Sequence, residues 1–132
     1  MNRRDDKVIE IEKYLNDLRD FLPLDFGEYM ADKKTRAACE RCCEKIVEAV
    51  IDLVFIVIKN REFRSPQSNS DALDVLSENN IISLKPSDKL SDAKSMRNWL
   101  AHRYGDVNDR LVFDSLKREL IDDVKKFLEA VR

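Results

Sequence analysis

Val8, Ile11, Leu15, Leu18 and Leu22 recur at spacings of three and four residues, which puts them on one face of a helix turning about 100° per residue. That helix is expected from about Asp5 to Phe21, and Pro23, with no amide hydrogen to give, ends it. A longer helix is expected from Asp32 to Lys59. Its second half, Ile46 to Ile58, is apolar around most of its circumference and marks the most buried element. Asn60 to Asn69 reads as a polar loop, followed by a short helix from Ser70 to Asn79 with Leu73 and Leu76 turned inward. Lys85-Pro86-Ser87 supplies a stop and an N-cap for a helix from about Asp88 to Tyr104. Asn108 then caps a final helix carrying the stripe Phe113, Leu116, Leu120, Val124, Phe127 and Val131. Asn80 to Leu84 is the one strand-like run and is taken as an extended connector. The pattern predicts an all-α, up-and-down bundle of about five helices, in one domain spanning 1–132.

Composition agrees with that outline and narrows the setting. The chain has 132 residues, 43% hydrophobic and 38% charged, with three prolines and two glycines, as expected for a soluble helical protein able to bury a core. The most apolar run, Ile46 to Ile58, is interrupted by Glu48 and Asp52 and is too short to span a bilayer. The start, Asn2-Arg3-Arg4-Asp5-Asp6-Lys7, has no secretory pattern, so the cytoplasm is the expected compartment and no membrane is involved. Cys39, Cys42 and Cys43 crowd one predicted helix. They lack the second pair or the nearby histidines of a zinc site and read as small apolar fillers, with no metal expected.

Arg97, Asn98, His102 and Tyr104 carry the candidate chemistry. The only histidine of the chain sits with a fixed cation and a phenol inside eight residues, Arg97 to Tyr104. An imidazole exchanges protons near neutral pH and a guanidinium holds a phosphate bidentately, a pairing suited to cutting a phosphodiester without metal. On a helix, Asn98 and His102 stack four apart while Arg97, Ala101 and Tyr104 follow the neighbouring stripe, so both stripes can face one cleft. Arg97 and His102 point roughly 140° apart, and the arginine stem must bring its head round. Gly105 suits a left-handed helix cap. A plainer account makes these side chains dipole partners and solvated groups in a last helical turn. Trp99 shares a face with Met96 and Arg103 and reads as packing ahead of base stacking. Tyr14 and Tyr29 read as structural.

The run Met96 to Val107 resembles the signature of the HepT toxins of the HEPN superfamily, and R-x-x-x-x-H-x-Y is matched in full by Arg97, His102 and Tyr104. The resemblance also covers the helical layout: the motif lies at the end of the penultimate helix, with an amphipathic helix after it. It implies a HEPN-like bundle and a metal-independent endoribonuclease that acts as the toxin of a type VII toxin–antitoxin pair on messenger or transfer RNA. His102 would then act as base or acid, Arg97 would stabilise the phosphorane and Asn98 would orient the imidazole or a phosphate oxygen. One histidine cannot serve both sides of phosphorus, and a two-fold homodimer, as in HEPN proteins, places two motifs in one cleft. DNA, without a 2′-hydroxyl, is expected to resist cleavage. The resemblance further implies a minimal nucleotidyltransferase antitoxin that silences the toxin by transferring AMP to Tyr104; alternatively that phenol only bonds a backbone group. No cofactor is expected. The competing function is an inactive HEPN adaptor that dimerises and docks the nucleotidyltransferase, and a third is a helical nucleotide binder that does not cleave.

Charge restrains the RNA reading. A net charge of −2 excludes a general polyanion binder. A local positive cleft is expected instead from Lys85, Lys89, Lys94, Arg97 and Arg103, with Lys59, Arg61 and Arg64 after the long helix. The acidic row Glu40, Glu44, Glu48 and Asp52 is expected to be solvated or paired with bases, with one member a candidate partner of Arg97.

Overall fold

The computed structural model describes residues 2–82 and 109–132, and every regular element among them is helical. The first helix, α1 (Arg3–Phe21), begins a half-turn before its expected start because the Asn2 side chain accepts from the Asp5 amide at 2.8 Å. It ends as expected, with Leu22 bonding back to Leu18 ahead of Pro23. Its buried face is Val8, Ile11, Leu15 and Leu18, and this face lies along α3 (Lys33–Asn60). Asp32 caps α3 by accepting from the Lys34 amide at 2.9 Å and the Thr35 hydroxyl at 2.9 Å. The expected boundaries of this long helix hold to within a residue.

Between them lies an element that the hydrophobic pattern does not reveal, α2 (Phe26–Ala31). Six residues are fewer than two turns, too few for a period to register. Its start is nevertheless written in Asp25 and Glu28: the Asp25 carboxylate accepts from the Glu28 amide at 2.8 Å, an N-cap of the ordinary kind.

The helix α4 (Asn69–Glu78) is capped by Ser68, whose hydroxyl accepts from the Asp71 amide at 3.0 Å, and buries Ala72, Leu73, Val75 and Leu76. Both α3 and α4 finish in the same way. Phe63 bonds back to Ile58 and Ile81 to Leu76, while Glu62 and Asn80 take the left-handed conformation at φ 56° and 60°. These are Schellman turns, which tie off carbonyls left bare at a helix end. Phe63 and Ile81 then fold back onto the core. Past Asn80 the expected connector is described only as far as Ile82, which is buried. The expected motif helix, its Ser87 N-cap and the Gly105 and Asn108 caps lie outside the described residues.

The chain is described again from α5 (Asp109–Ser115), which passes through a π-turn (Leu116–Leu120) into α6 (Ile121–Val131). All six residues of the expected stripe are buried, but the helix is not uniform. In the π-turn the Lys117 ammonium donates to the carbonyls of Pro23 and Leu24 at 2.8 and 2.7 Å, fastening the α1–α2 turn to the last helical segment. One continuous apolar core joins α1, α3, α4 and the final helices, with Tyr29 of α2 included.

The loop after α3 is organised by a single side chain. Arg64 forks onto Asp71 at 2.8 and 2.9 Å and onto Glu78 at 2.8 and 3.0 Å, joining the loop to both ends of α4. Asp71 also accepts from the Gln67 amide at 2.9 Å. The guanidinium, and secondarily that amide, hold the Asp71 carboxyl down at about 2.

Two predictions follow from these ends and this clasp. A left-handed glutamate costs conformational energy that glycine does not, so Glu62→Gly is expected to raise unfolding stability by about 1 kcal/mol; a lower urea midpoint would show that the side chain matters more than its backbone. An unfolded aspartate titrates near ~4, above the folded value of about 2, so the contribution of Asp71 is complete above pH ~4 and is lost as pH falls towards 2. Asp71→Asn is expected to flatten the urea midpoint across that window, and an unchanged profile counts against the clasp.

Candidate functional site

Arg97, Asn98, His102 and Tyr104 lie outside the described residues, as do Lys85, Lys89, Lys94, Trp99 and Arg103. The described helices supply the frame to which that segment is joined. It leaves from Ile82, buried at the end of α4, and rejoins at Asp109. Tyr104 precedes Asp109 by five residues. Chain length alone therefore keeps the two Cα atoms within about 18 Å.

The corner that receives the chain is built from α2 and α5. Phe113 packs 5.0 Å from the Tyr29 ring and 5.8 Å from that of Phe26, and the two α2 rings lie 6.4 Å apart. The Arg110 guanidinium sits 4.9 Å over Phe26 and 3.4 Å from Asp114. Lys117 lies 5.7 Å over Phe113 while it holds the Pro23 and Leu24 carbonyls. Such cation–ring contacts add to the packing of aromatic area.

Tyr29 is fully buried, and its hydroxyl has no hydrogen-bond partner among the described residues. Burial pushes the phenol well above its ordinary range, with Glu40 and Asp109 adding to the effect. It is a neutral packing group at physiological pH, not a nucleophile, in agreement with its structural assignment. Tyr14 is structural for another reason: its hydroxyl donates to Glu10 at 3.0 Å and Lys45 lies 5.7 Å over its ring.

The cysteines behave as fillers. All three are free and buried, and burial pushes Cys39 to about 11 and Cys43 to about 12, with Cys42 also raised. Thiols so shifted carry almost no thiolate at neutral pH. Among the described residues no group of histidine, cysteine or carboxylate side chains has the arrangement of a metal site.

The acidic row divides among neighbours. Glu44 pairs with Arg41 at 3.0 Å, and Asp52 pairs with Lys7 at 3.6 Å while Lys7 also meets Glu10 at 2.9 Å. The hydrogen bond from Lys7 holds the Glu10 carboxyl below its usual range. The suggested contact with Arg97 falls outside the described residues. One electrostatic expectation is corrected: Arg64 does not add to a positive cleft, because Asp71 and Glu78 neutralise it twice over. Its partners stand seven and fourteen residues away across a loop, and no local sequence rule pairs residues at those distances.

No helix of the described residues is long and apolar enough to cross a membrane. With this frame in place, the comparisons are specific. A profile of the family described as ribonuclease HepT-like matches residues 11–131. The mRNA nuclease HepT of Shewanella oneidensis is 29% identical over 93 residues, which cover 70% of this chain and 66% of that protein. The tRNA nuclease HepT of Aphanizomenon flos-aquae is 23% identical over 103 residues, 78% of this chain and 70% of that one. In three dimensions the fold matches a tri-AMPylated HEPN toxin of Shewanella oneidensis, solved in complex with MNT antitoxin. That match has a TM-score of 0.90 at 22% identity and covers 99% of this chain and 98% of the other. The all-α bundle is thus a HEPN fold, and the family match runs through the whole of the Arg97–Tyr104 segment as well as the helices on either side of it. This chain belongs to the HepT-like ribonuclease family.

Proposed function

We propose that the chain is the ribonuclease toxin of a toxin–antitoxin pair, cutting RNA in the cytoplasm through Arg97 and His102 and silenced by AMP on Tyr104. The observation that carries this reading is the family match over residues 11–131 together with the intact R-x-x-x-x-H-x-Y run inside it. The names of its relatives support RNA as the substrate, messenger RNA for one and transfer RNA for the other.

The chemistry follows from the side chains. His102 takes the proton of a ribose 2′-hydroxyl, the oxygen attacks the adjacent phosphorus, and the bond to the 5′-oxygen breaks as a second imidazolium protonates it. The products are a 2′,3′-cyclic phosphate and a 5′-hydroxyl. Arg97 neutralises charge on the phosphorane through paired N–H donors, and Asn98 orients the imidazole or a phosphate oxygen. A cation supplied by arginine does the work that a metal ion does elsewhere, so the reaction needs no cofactor. The second imidazole comes from a second copy, which makes the active species a two-fold homodimer.

Silencing uses the remaining motif residue. The Tyr104 phenolic oxygen attacks the α-phosphorus of ATP bound to a nucleotidyltransferase, pyrophosphate departs, and the phenol proton passes to a base of the transferase. The AMP left behind places an anion two residues from His102, where it competes with the RNA phosphate for Arg97. The tri-AMPylated state of the structural relative supports this modification. So does the condition of the other two tyrosines, with Tyr29 buried and the Tyr14 hydroxyl bonded to Glu10.

Purified unmodified protein is expected to cut total RNA in EDTA and leave cyclic phosphate ends, with His102→Ala slower by at least about 10²-fold. Absence of cleavage from both proteins, once mass measurement shows neither carries AMP, would move the assignment to a HEPN adaptor. Tyr104→Phe is expected to keep cleavage and to escape silencing by the transferase with ATP. Silencing of that variant to the wild-type extent would remove Tyr104 from the switch.

A further inference from the structure

Residues 22–31, the turn after α1 and the whole of α2, join two long helices while burying little of their own. Tyr29 is the only one of these ten residues that is buried, and Leu24 and Met30 stand 83 and 38% exposed. A helix of six residues, one of them Gly27, is too short to hold its shape unaided. The segment meets α1 at Leu22 and α3 at Asp32, and both of these residues are extended, which gives it a hinge at each end.

Among the described residues, the polar bonds that hold the segment down come from two side chains of its neighbours. Lys117 donates to the Pro23 and Leu24 carbonyls at 2.8 and 2.7 Å, and Arg36 donates to the Met30 carbonyl. Between these bonds the Tyr29 ring lies 5.0 Å from that of Phe113. Its α2 helix packs on α3, where Arg36, Cys39 and Glu40 are all near enough to act on the ionisation of the phenol. That placement carries a penalty. The Tyr29 hydroxyl is buried without a hydrogen-bond partner among the described residues, and it gains one from water as soon as the ring leaves its pocket. Few buried groups, a short helix and an unmet polar atom mark a unit that opens at less than the free energy of global unfolding.

We propose that residues 22–31 are a flap that opens as a unit on Leu22 and Asp32, with Lys117 as its latch, while α1 and α3 stay folded. The open state uncovers the pocket left by the Tyr29 ring and gives solvent access to the Cys39 thiol on α3. It also takes Phe26 and Tyr29 off Phe113, so the position of the flap and the seating of α5 are linked.

The buried cysteines serve as probes. A thiol held protonated in the core is inert to alkylation, and Arg41 lies between Cys39 and the Cys42–Cys43 pair, so trypsin separates the two after labelling. The full chain, as wild type and as Lys117→Met, is treated briefly with N-ethylmaleimide over a series of urea concentrations below the unfolding transition. Labelling of Cys39 is expected to depend on urea much less steeply than global unfolding does. Removal of the two charge-assisted bonds of Lys117 is expected to speed it roughly 10- to 100-fold, with labelling of the Cys42–Cys43 peptide unchanged. Equal acceleration of both peptides, or Cys39 labelling with the full urea slope of unfolding, would overturn the proposal. Should Lys117→Met fail to fold, the wild-type urea series and amide hydrogen exchange decide by themselves: a shallow slope at Cys39 with α3 amides still protected supports the flap, and a full slope rules it out.

Discussion

The long helix α3 is buried against neighbours on more than one side, and the arrangement of α1, α2 and α4 follows from that. Twelve of its 28 residues are buried, and α1, α2 and α4 each pack against it. A helix satisfies its own backbone internally, so such burial leaves no orphaned main-chain groups except at its ends. Those ends are where the polar devices concentrate: Asp32 at the start, a Schellman turn at the finish, and the Arg64 clasp just beyond. Small buried thiols at 39, 42 and 43 belong to the same constraint, since they fill space at the crowded first half of the helix without adding a polar group that needs a partner.

A second layer of constraint joins the beginning of the chain to its end. Phe26 and Tyr29 of α2 meet Phe113 of α5, and Lys117 ties the turn before α2 to the π-turn after α5. These contacts cross more than eighty residues of sequence. They fix the place at which the chain carrying Arg97, His102 and Tyr104 rejoins the bundle, between Ile82 in the core on one side and an aromatic cluster on the other. The Tyr29 hydroxyl, without a hydrogen-bond partner among the described residues, is a local cost of that cluster. A phenylalanine there would pack as well, and nothing in the described contacts explains the hydroxyl.

How much was legible in the sequence depended on the range over which each signal acts. α1, α3 and α4 were legible because apolar side chains repeat over several turns; the caps at Asn2, Asp32 and Ser68, which set where they start, came only with the structure. α2 was not, since six residues hold no repeat; only the Asp25 cap announces it. The π-turn was hidden for the opposite reason. Leu116, Leu120 and Val124 continue an apparently unbroken helical stripe, and the feature that accompanies the turn, Lys117 reaching Pro23 and Leu24, is a contact at a separation of more than ninety residues. The left-handed Glu62 gives no sequence signal either, because the chain places no glycine there. The candidate chemistry was legible for a simple reason: its groups stand within eight consecutive residues, so recognising them requires no knowledge of the fold.

The balance of charge connects these observations to the proposed RNA substrate. A chain with net charge −2 has no broad attraction for polyanions, and the clasp on Arg64 removes a cation that would otherwise strengthen one. Lys7 is likewise drawn between Glu10 and Asp52. Pairing of this kind lowers the long-range pull on nucleic acid and leaves discrimination to whichever cations remain unpaired close to the scissile phosphate. For a toxin controlled by a covalent anion, as proposed above, this is an advantage. A binding field built from few charges is cancelled by one or a few phosphates, whereas a broadly basic surface would continue to hold RNA after the same modification. The acidity of the bundle and the proposed switch at Tyr104 are, on this argument, parts of one electrostatic design.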